Sequence, residues 1–184
     1  MKFSFTRSSI PDVIVVEPSV SGDDRGFFME TWERKKFRDG GIDYDFVQDN
    51  HSRSRQGILR GLHYQVRHPQ GKIVRAISGA VFDVAVDLRR SSPTFGQWVG
   101  ELLSADNRKM LWVPPGFAHG FYVVSESADI NYKCTDYYYP EFERSLAWDD
   151  PELDITWPLG DNTPPQLSTK DSNAANLADA DLFP

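Results

Sequence analysis

The sequence predicts an all-β domain, either a sandwich or a closed barrel. Three observations predict it. Segments of period-2 alternation recur at short intervals, turn chemistry bounds them, and helical periodicity is confined to two short stretches.

In chain order the alternating segments are "DVIVVE" (12–17), "YDFVQDNH" (44–51), "ILRGLHYQ" (58–65), "KIVRAI" (72–77) and "AVFDVAVDL" (80–88). They continue with "QWVGELL" (97–103), "MLWVPP" (110–115), "AHGFYVV" (118–124) and "DINYKC" (129–134). Gly22-Asp23-Asp24, Gly40-Gly41, Pro69-Gln70-Gly71, Ser78-Gly79, Ser92-Pro93 and Pro114-Pro115-Gly116 separate them, and each is a sequence that favours a tight turn. Only "METWERKKFRD" (29–39) and the C-terminal "NAANLADADLF" (173–183) read as helical. Within 80–88, Phe82, Val84, Val86 and Leu88 share one face, which is core. Val81, Asp83, Ala85 and Asp87 share the other. Solvent exposure is the simpler expectation for that second face, and the wall of a polar cavity is the alternative. The stretch from about residue 160 is rich in Asp, Asn, Ser and Pro and is expected to be irregular. At 184 residues the chain is expected to form a single domain, 1–184.

A formal charge of −7 and a pI near 5.0 argue against nucleic-acid or membrane-surface binding. No segment approaches the roughly 18 apolar residues of a membrane span. The apolar run Val13–Val16 is too short for a signal peptide. Cys134 is the single cysteine, which excludes an intrachain disulfide and suits a reducing, cytoplasmic location.

Charge is unevenly distributed. Between Asn50 and Phe82 there is no acidic residue, yet the stretch holds Arg53, Arg55, Arg60, Arg67, Lys72, Arg75 and the histidines 51, 63 and 68. A solvated basic face is one reading. The strand pattern favours the other, an inward-facing cationic pocket for a phosphorylated or carboxylated ligand.

"VPPGFAHGF" contains P-x-G-x-x-H from Pro114 through Gly116 to His119. It resembles the second motif of the cupins, small double-stranded β-helix (jelly-roll) barrels. Metal-dependent members bring an H-x-H pair and a Glu from their first motif. Here His63 is followed by Gln65, and Lys72 stands near the place of the acid. An ammonium repels a divalent cation, so the expectation is no metal and a pocket for an anion.

Further blocks carry a closer likeness: "GDDRGFFMETW", "FVQDNHSRS", "LRGLHYQ", "QGKIVRAISGAVFDVAVDLRRSSPTFGQWVG", "LWVPPGFAHGF", "YKCTDYYYPEFERSLAWDD" and "LSTKD". Together they resemble the dTDP-4-dehydrorhamnose 3,5-epimerases, metal-free cupins of nucleotide-sugar metabolism. The resemblance implies a cofactor-free isomerase acting on dTDP-4-dehydro-6-deoxy-D-glucose. It also implies a homodimer with N-terminal strands exchanged.

Inverting carbons 3 and 5 beside a ketone needs a base on one face, an acid on the other and a donor at the enolate oxygen. His63 is the candidate base, because an imidazole titrates near neutral pH. Lys72 is the candidate for the oxyanion, and Tyr132 matches the family's proton donor. By resemblance Asp171 orients His63, with Asp83 a rival on spacing. Arg25, Glu30, Gln48, Asp49, Asn50, Arg60, His119, Glu143 and Lys170 match substrate-binding positions. Tyr138 would stack on the thymine, unless its aromatic cluster serves packing.

A regular strand would place Arg60 and His63 on opposite faces, so a bulge at Gly61 is expected if both serve one site. Three other readings stay open: an epimerase acting at only one carbon, a metal-dependent cupin, and a non-catalytic sugar-nucleotide binding barrel.

Overall fold

The computed structural model describes residues 1–160 and 163–184, so Asp161 and Asn162, within the stretch expected to be irregular, lie outside the described residues. The strands run β1 (Phe3–Arg7), β2 (Ile14–Pro18), β3 (Val20–Asp23), β4 (Gly26–Met29), β5 (Gln48–Arg55), β6 (Leu59–Gln65) and β7 (Lys72–Ser78). They continue as β8 (Ala80–Asp87), β9 (Trp98–Ser104), β10 (Met110–Val113), β11 (Phe117–Val123), β12 (Ser127–Cys134) and β13 (Glu143–Ser145). Two short helices, α1 (Arg34–Asp39) and α2 (Thr169–Ser172), complete the set.

Two antiparallel sheets face each other. One has the order β1-β2-β10-β7-β12-β5, the other β13-β6-β11-β8-β9, and β3-β4 is a separate hairpin. Alternation dictates this architecture, because each central strand has an apolar set on both faces and needs cover on both. The inner set includes Val74, Val81, Ala85, Leu111, Phe121 and Ile130. The outer face of the six-stranded sheet carries Ile14, Val16, Ile73, Met110 and Trp112, capped by Phe37 of α1. The outer face of the five-stranded sheet carries Leu59, Leu62, Val84, Val86 and Tyr122. The C-terminal segment covers that face with Leu177, Leu182 and Phe183. Each fully buried aliphatic chain contributes about 1.5–3 kcal/mol relative to exposure.

Several sequence expectations change. The Val81–Asp83–Ala85–Asp87 face is not solvent-exposed: all four side chains are buried, and the face lines the interior. The strand expected at 44–51 begins at Gln48, because Tyr44 and Phe46 instead pack on the Trp112 ring at 5.0 and 6.1 Å. The helix expected over 29–39 is confined to α1. Met29 is taken by β4, and Glu33 caps the helix by accepting from the Lys35 and Lys36 amides. Residues 173–183 form no long helix. After α2 the chain bridges Leu146 through Ala175 and Arg89 through Phe183, with a single 3-10 turn at Leu177–Asp179. It must cross a sheet face, and a nearly extended course covers more of it. In place of a helix the segment is largely irregular, yet firmly packed.

Candidate active site

Strand β6 carries the histidine of the first motif. Opposite it on β11, His119 pairs with His63 and Phe121 with Arg60, so Gly61 and Leu62 together face the single residue Gly120. This is the expected bulge. The Gly61–Leu62 peptide is cis and Gly61 has a φ of +118°. A Cβ at Gly61 would lie 2.5 Å from the Cα of Gly120 and 2.8 Å from the His119 carbonyl oxygen, so the site requires glycine. The extra residue sends Leu62 outward to join Leu59 and Tyr64, and leaves Arg60 and His63 on the same inner side.

His63 Nε2 lies 2.6 Å from Asp171 Oδ1. Asp171 comes from α2, where the Ser168 hydroxyl accepts from its amide at 3.1 Å and caps the helix. Asp83 meets His119 instead, with both carboxylate oxygens 3.0 Å from His119 Nε2. The structure therefore separates the two aspartates that spacing left open: Asp171 serves His63 and Asp83 serves His119. Burial pushes the His63 pKa below the ordinary value, opposed by the Asp171 hydrogen bond, while Lys170 and Lys72 add to the depression. The imidazole is thus neutral at neutral pH, the form a base requires. The carboxyl of Asp171 is held below its usual range by His63, against the cost of burial.

Lys72 opens β7 and lies beside Cys134 in the register of β12. Burial lowers its pKa, while Cys134, Glu143 and Asp83 pull the other way. Tyr132, also on β12, is half-buried, and burial raises its pKa, so its phenol keeps its proton. His63 and Tyr132 stand on different sheets, and so on facing walls of the interior.

Around them, Asn50 donates to the Cys134 sulfur at 3.5 Å and Gln48 donates to Asn50 at 3.1 Å. Glu143 accepts from the Tyr138 hydroxyl at 3.0 Å and pairs with Lys170 at 2.9 Å. Arg60 is tethered to the Ser54 hydroxyl at 2.8 Å. A cavity of about 340 Å³ is lined by Arg60, His63, Lys170 and Asp171. Arg60 and Lys170 give it two cationic side chains, suited to a phosphorylated ligand.

Lys72, Tyr138 and Glu143 meet His63 in an adjoining pocket instead, while Asp49, Arg25 and Glu30 line neither. Asp49 points to the outer face of β5, where it pairs with Lys133 at 2.7 Å and Asn131 at 2.8 Å, because alternation puts it opposite Gln48 and Asn50. Arg25, its side chain 89% exposed, pairs with Asp23 at the tip of the β3-β4 hairpin. Glu30 pairs with Lys36. Sequence reasoning also passed over Ser168, although the S-x-x-D spacing to Asp171 is a helix-start signal. It passed over Ser54 and Cys134 too, whose roles depend on cross-strand register. Among the described residues no group of three His, Cys, Asp or Glu side chains converges to hold a metal ion. Among the same described residues no helix is long and apolar enough to cross a membrane.

Two facing antiparallel sheets with ionisable residues gathered inside define a cupin-type barrel enzyme. A family model described as dTDP-4-dehydrorhamnose 3,5-epimerase matches residues 7–179, and the chain belongs to that family. A dTDP-4-dehydrorhamnose 3,5-epimerase of Pseudomonas aeruginosa is 61% identical over 180 residues, covering 97% of this chain and 98% of its own. The solved structure of a Legionella pneumophila dTDP-6-deoxy-D-glucose-3,5-epimerase in complex with dTDP-4-keto-L-rhamnose aligns with a TM-score of 0.94 at 52% identity. That alignment covers 97% of this chain and 95% of the other. A Streptomyces bikiniensis 3'-monoepimerase in complex with dTDP-quinovose aligns with a TM-score of 0.86 at 34% identity, over 94% and 87% of the two chains.

Proposed function

We propose that this protein inverts carbons 3 and 5 of dTDP-4-dehydro-6-deoxy-D-glucose, giving dTDP-4-dehydro-L-rhamnose. The observation that carries the chemistry is the placing of a neutral, carboxylate-backed His63 and a protonated Tyr132 on facing walls. The C–H bond beside the C4 ketone breaks, its proton passes to His63 Nδ1, the ring nitrogen that Asp171 does not hold, and the electron pair moves onto the ketone oxygen as an enolate. Lys72 stabilises that oxygen electrostatically. The carbon is then protonated from the opposite face by Tyr132, and the ketone re-forms. His63 returns its proton to solvent and Tyr132 regains one, so the sequence is a net isomerisation and repeats at the second carbon. Asp171 orients the imidazole and supports its charge.

For binding, Arg60 and Lys170 hold the diphosphate, Gln48, Asn50, His119 and Glu143 contact the sugar nucleotide, and Tyr138 stacks on the thymine. The dTDP-sugars bound in the Legionella and Streptomyces structures support a dTDP-sugar as the ligand. The exposed β3-β4 hairpin supports a homodimer in which that segment passes to the partner and delivers Arg25 and Glu30 there. Phe27 and Phe28 on it are 60% and 68% exposed. The free, buried Cys134 thiol supports a reducing compartment such as the cytoplasm.

The test is turnover in D₂O followed by NMR. Deuterium should enter at both C3 and C5 of the product, and His63→Ala should lose at least about 10²–10⁴-fold in rate while staying folded. Label at one carbon only would make the protein a single-centre epimerase.

A further inference from the structure

The segment Asp136–Tyr139, which carries Tyr138 to the mouth of the interior, belongs to no strand. Backbone groups outside a ladder still need partners. Here glutamine side chains supply them, residue by residue. Gln70 Nε2 donates to the Asp136 carbonyl at 2.8 Å, and Gln65 Nε2 to the Tyr137 carbonyl at 3.2 Å. The Tyr138 amide donates to Gln48 Oε1 at 2.9 Å, and the Tyr139 amide to Gln65 Oε1 at 2.8 Å. Gln65 gives a further hydrogen bond to the His68 carbonyl at 2.7 Å.

Gln48 belongs to one sheet and Gln65 to the other, so the segment is tied to both walls. Gln65 is 4% exposed and lies two residues beyond His63 on the same strand. Its amide is fully occupied by backbone. Tyr138 is thereby fixed at its backbone by glutamines and at its hydroxyl by Glu143.

We propose that Gln65, assisted by Gln70, is a positioning residue for Tyr138, setting the ring where a nucleobase stacks and so controlling nucleotide affinity rather than proton transfer. This rests on the reading that Tyr138 stacks on the base. The chemistry favours an amide at position 65. A carboxylate there would face two carbonyl oxygens. A methionine of similar volume would leave two carbonyls and an N–H unpaired, and the segment would have to be ordered at the expense of binding.

The experiment is a double-mutant cycle on dTDP binding by calorimetry, with turnover and unfolding temperature measured alongside. Gln65→Met and Tyr138→Ala should each raise the Kd for dTDP about tenfold. The Gln65→Met kcat should stay near wild type, and the double variant should bind no more weakly than Tyr138→Ala alone. Independent losses that multiply in the double variant would overturn the inference. So would a weakened Tyr138→Ala beside an unaffected Gln65→Met. Unchanged affinity in Tyr138→Ala removes the stacking reading and the inference with it. Should Gln65→Met fail to fold, Gln70→Met, which loses a single hydrogen bond, runs the same cycle with the same outcomes.

Discussion

His63 owes its usefulness to a balance between burial, which lowers its pKa, and Asp171, which raises it. The sign of the pH response follows. As the pH falls through its depressed native pKa, below 6.5, the base becomes protonated and turnover falls. Stability moves the same way. The unfolded imidazole takes up a proton near its ordinary pKa that the native one refuses, so this contribution is complete above that value and declines as the pH falls through it. Asp171→Asn removes the influence that raises the pKa. We expect kcat to drop roughly 10²–10⁴-fold and the acid limb of the pH–rate profile to move to lower pH. A limb that stays in place would assign Asp171 a purely structural role. The candidates His63, Lys72 and Tyr132 were legible because their motifs were. The choice between Asp83 and Asp171 was not, since each pairing joins elements far apart in sequence. Asp49 shows the reverse. Alternation alone places it opposite Gln48 and Asn50, and the structure follows alternation.

At the scale of the element, β6 is the instructive strand. Period-2 reading predicts its existence, and the conflict between Arg60 and His63 predicts its irregularity at Gly61. The φ of +118° and the 2.5 Å approach to Gly120 give that irregularity a cost for any other residue. Gly61→Ala should destabilise the fold by roughly 2–4 kcal/mol through strain and overpacking, measurable by urea unfolding. Activity should fall further than stability alone explains, because Arg60 and His63 lose their common side. A variant with wild-type unfolding would show that the bulge tolerates a side chain. The long central strands were readable from alternation. The short β1, β3, β4 and β13 were not, because none of them buries a side chain fully and so none shows a clear apolar face; of the four only β13 depends on a partner far away in the sequence, β6. The helical look of 173–183 yielded to the demand of covering a sheet face.

The whole molecule brings its site together from both sheets and a C-terminal strap, while the hairpin with Arg25 extends outward. If that hairpin serves a partner, co-expressed His63→Ala and Arg25→Ala chains should form mixed dimers in which one site keeps both residues. Activity absent from either variant alone should then return, measured on the purified mixture. No recovery would mean that Arg25 does not act across the dimer.

The strap holds a consequence for quality control. It lays Leu177, Leu182 and Phe183 over the outer apolar face and, a few residues earlier, presents Asp171 to His63. Loosening it disarms the base and uncovers sticky surface in the same event, so a damaged molecule stops working as it becomes visible to a chaperone. In rising urea, the loss of turnover should coincide with the first binding of a dye that reports exposed apolar surface. Turnover that outlasts dye binding would show that the two ends of the strap release separately.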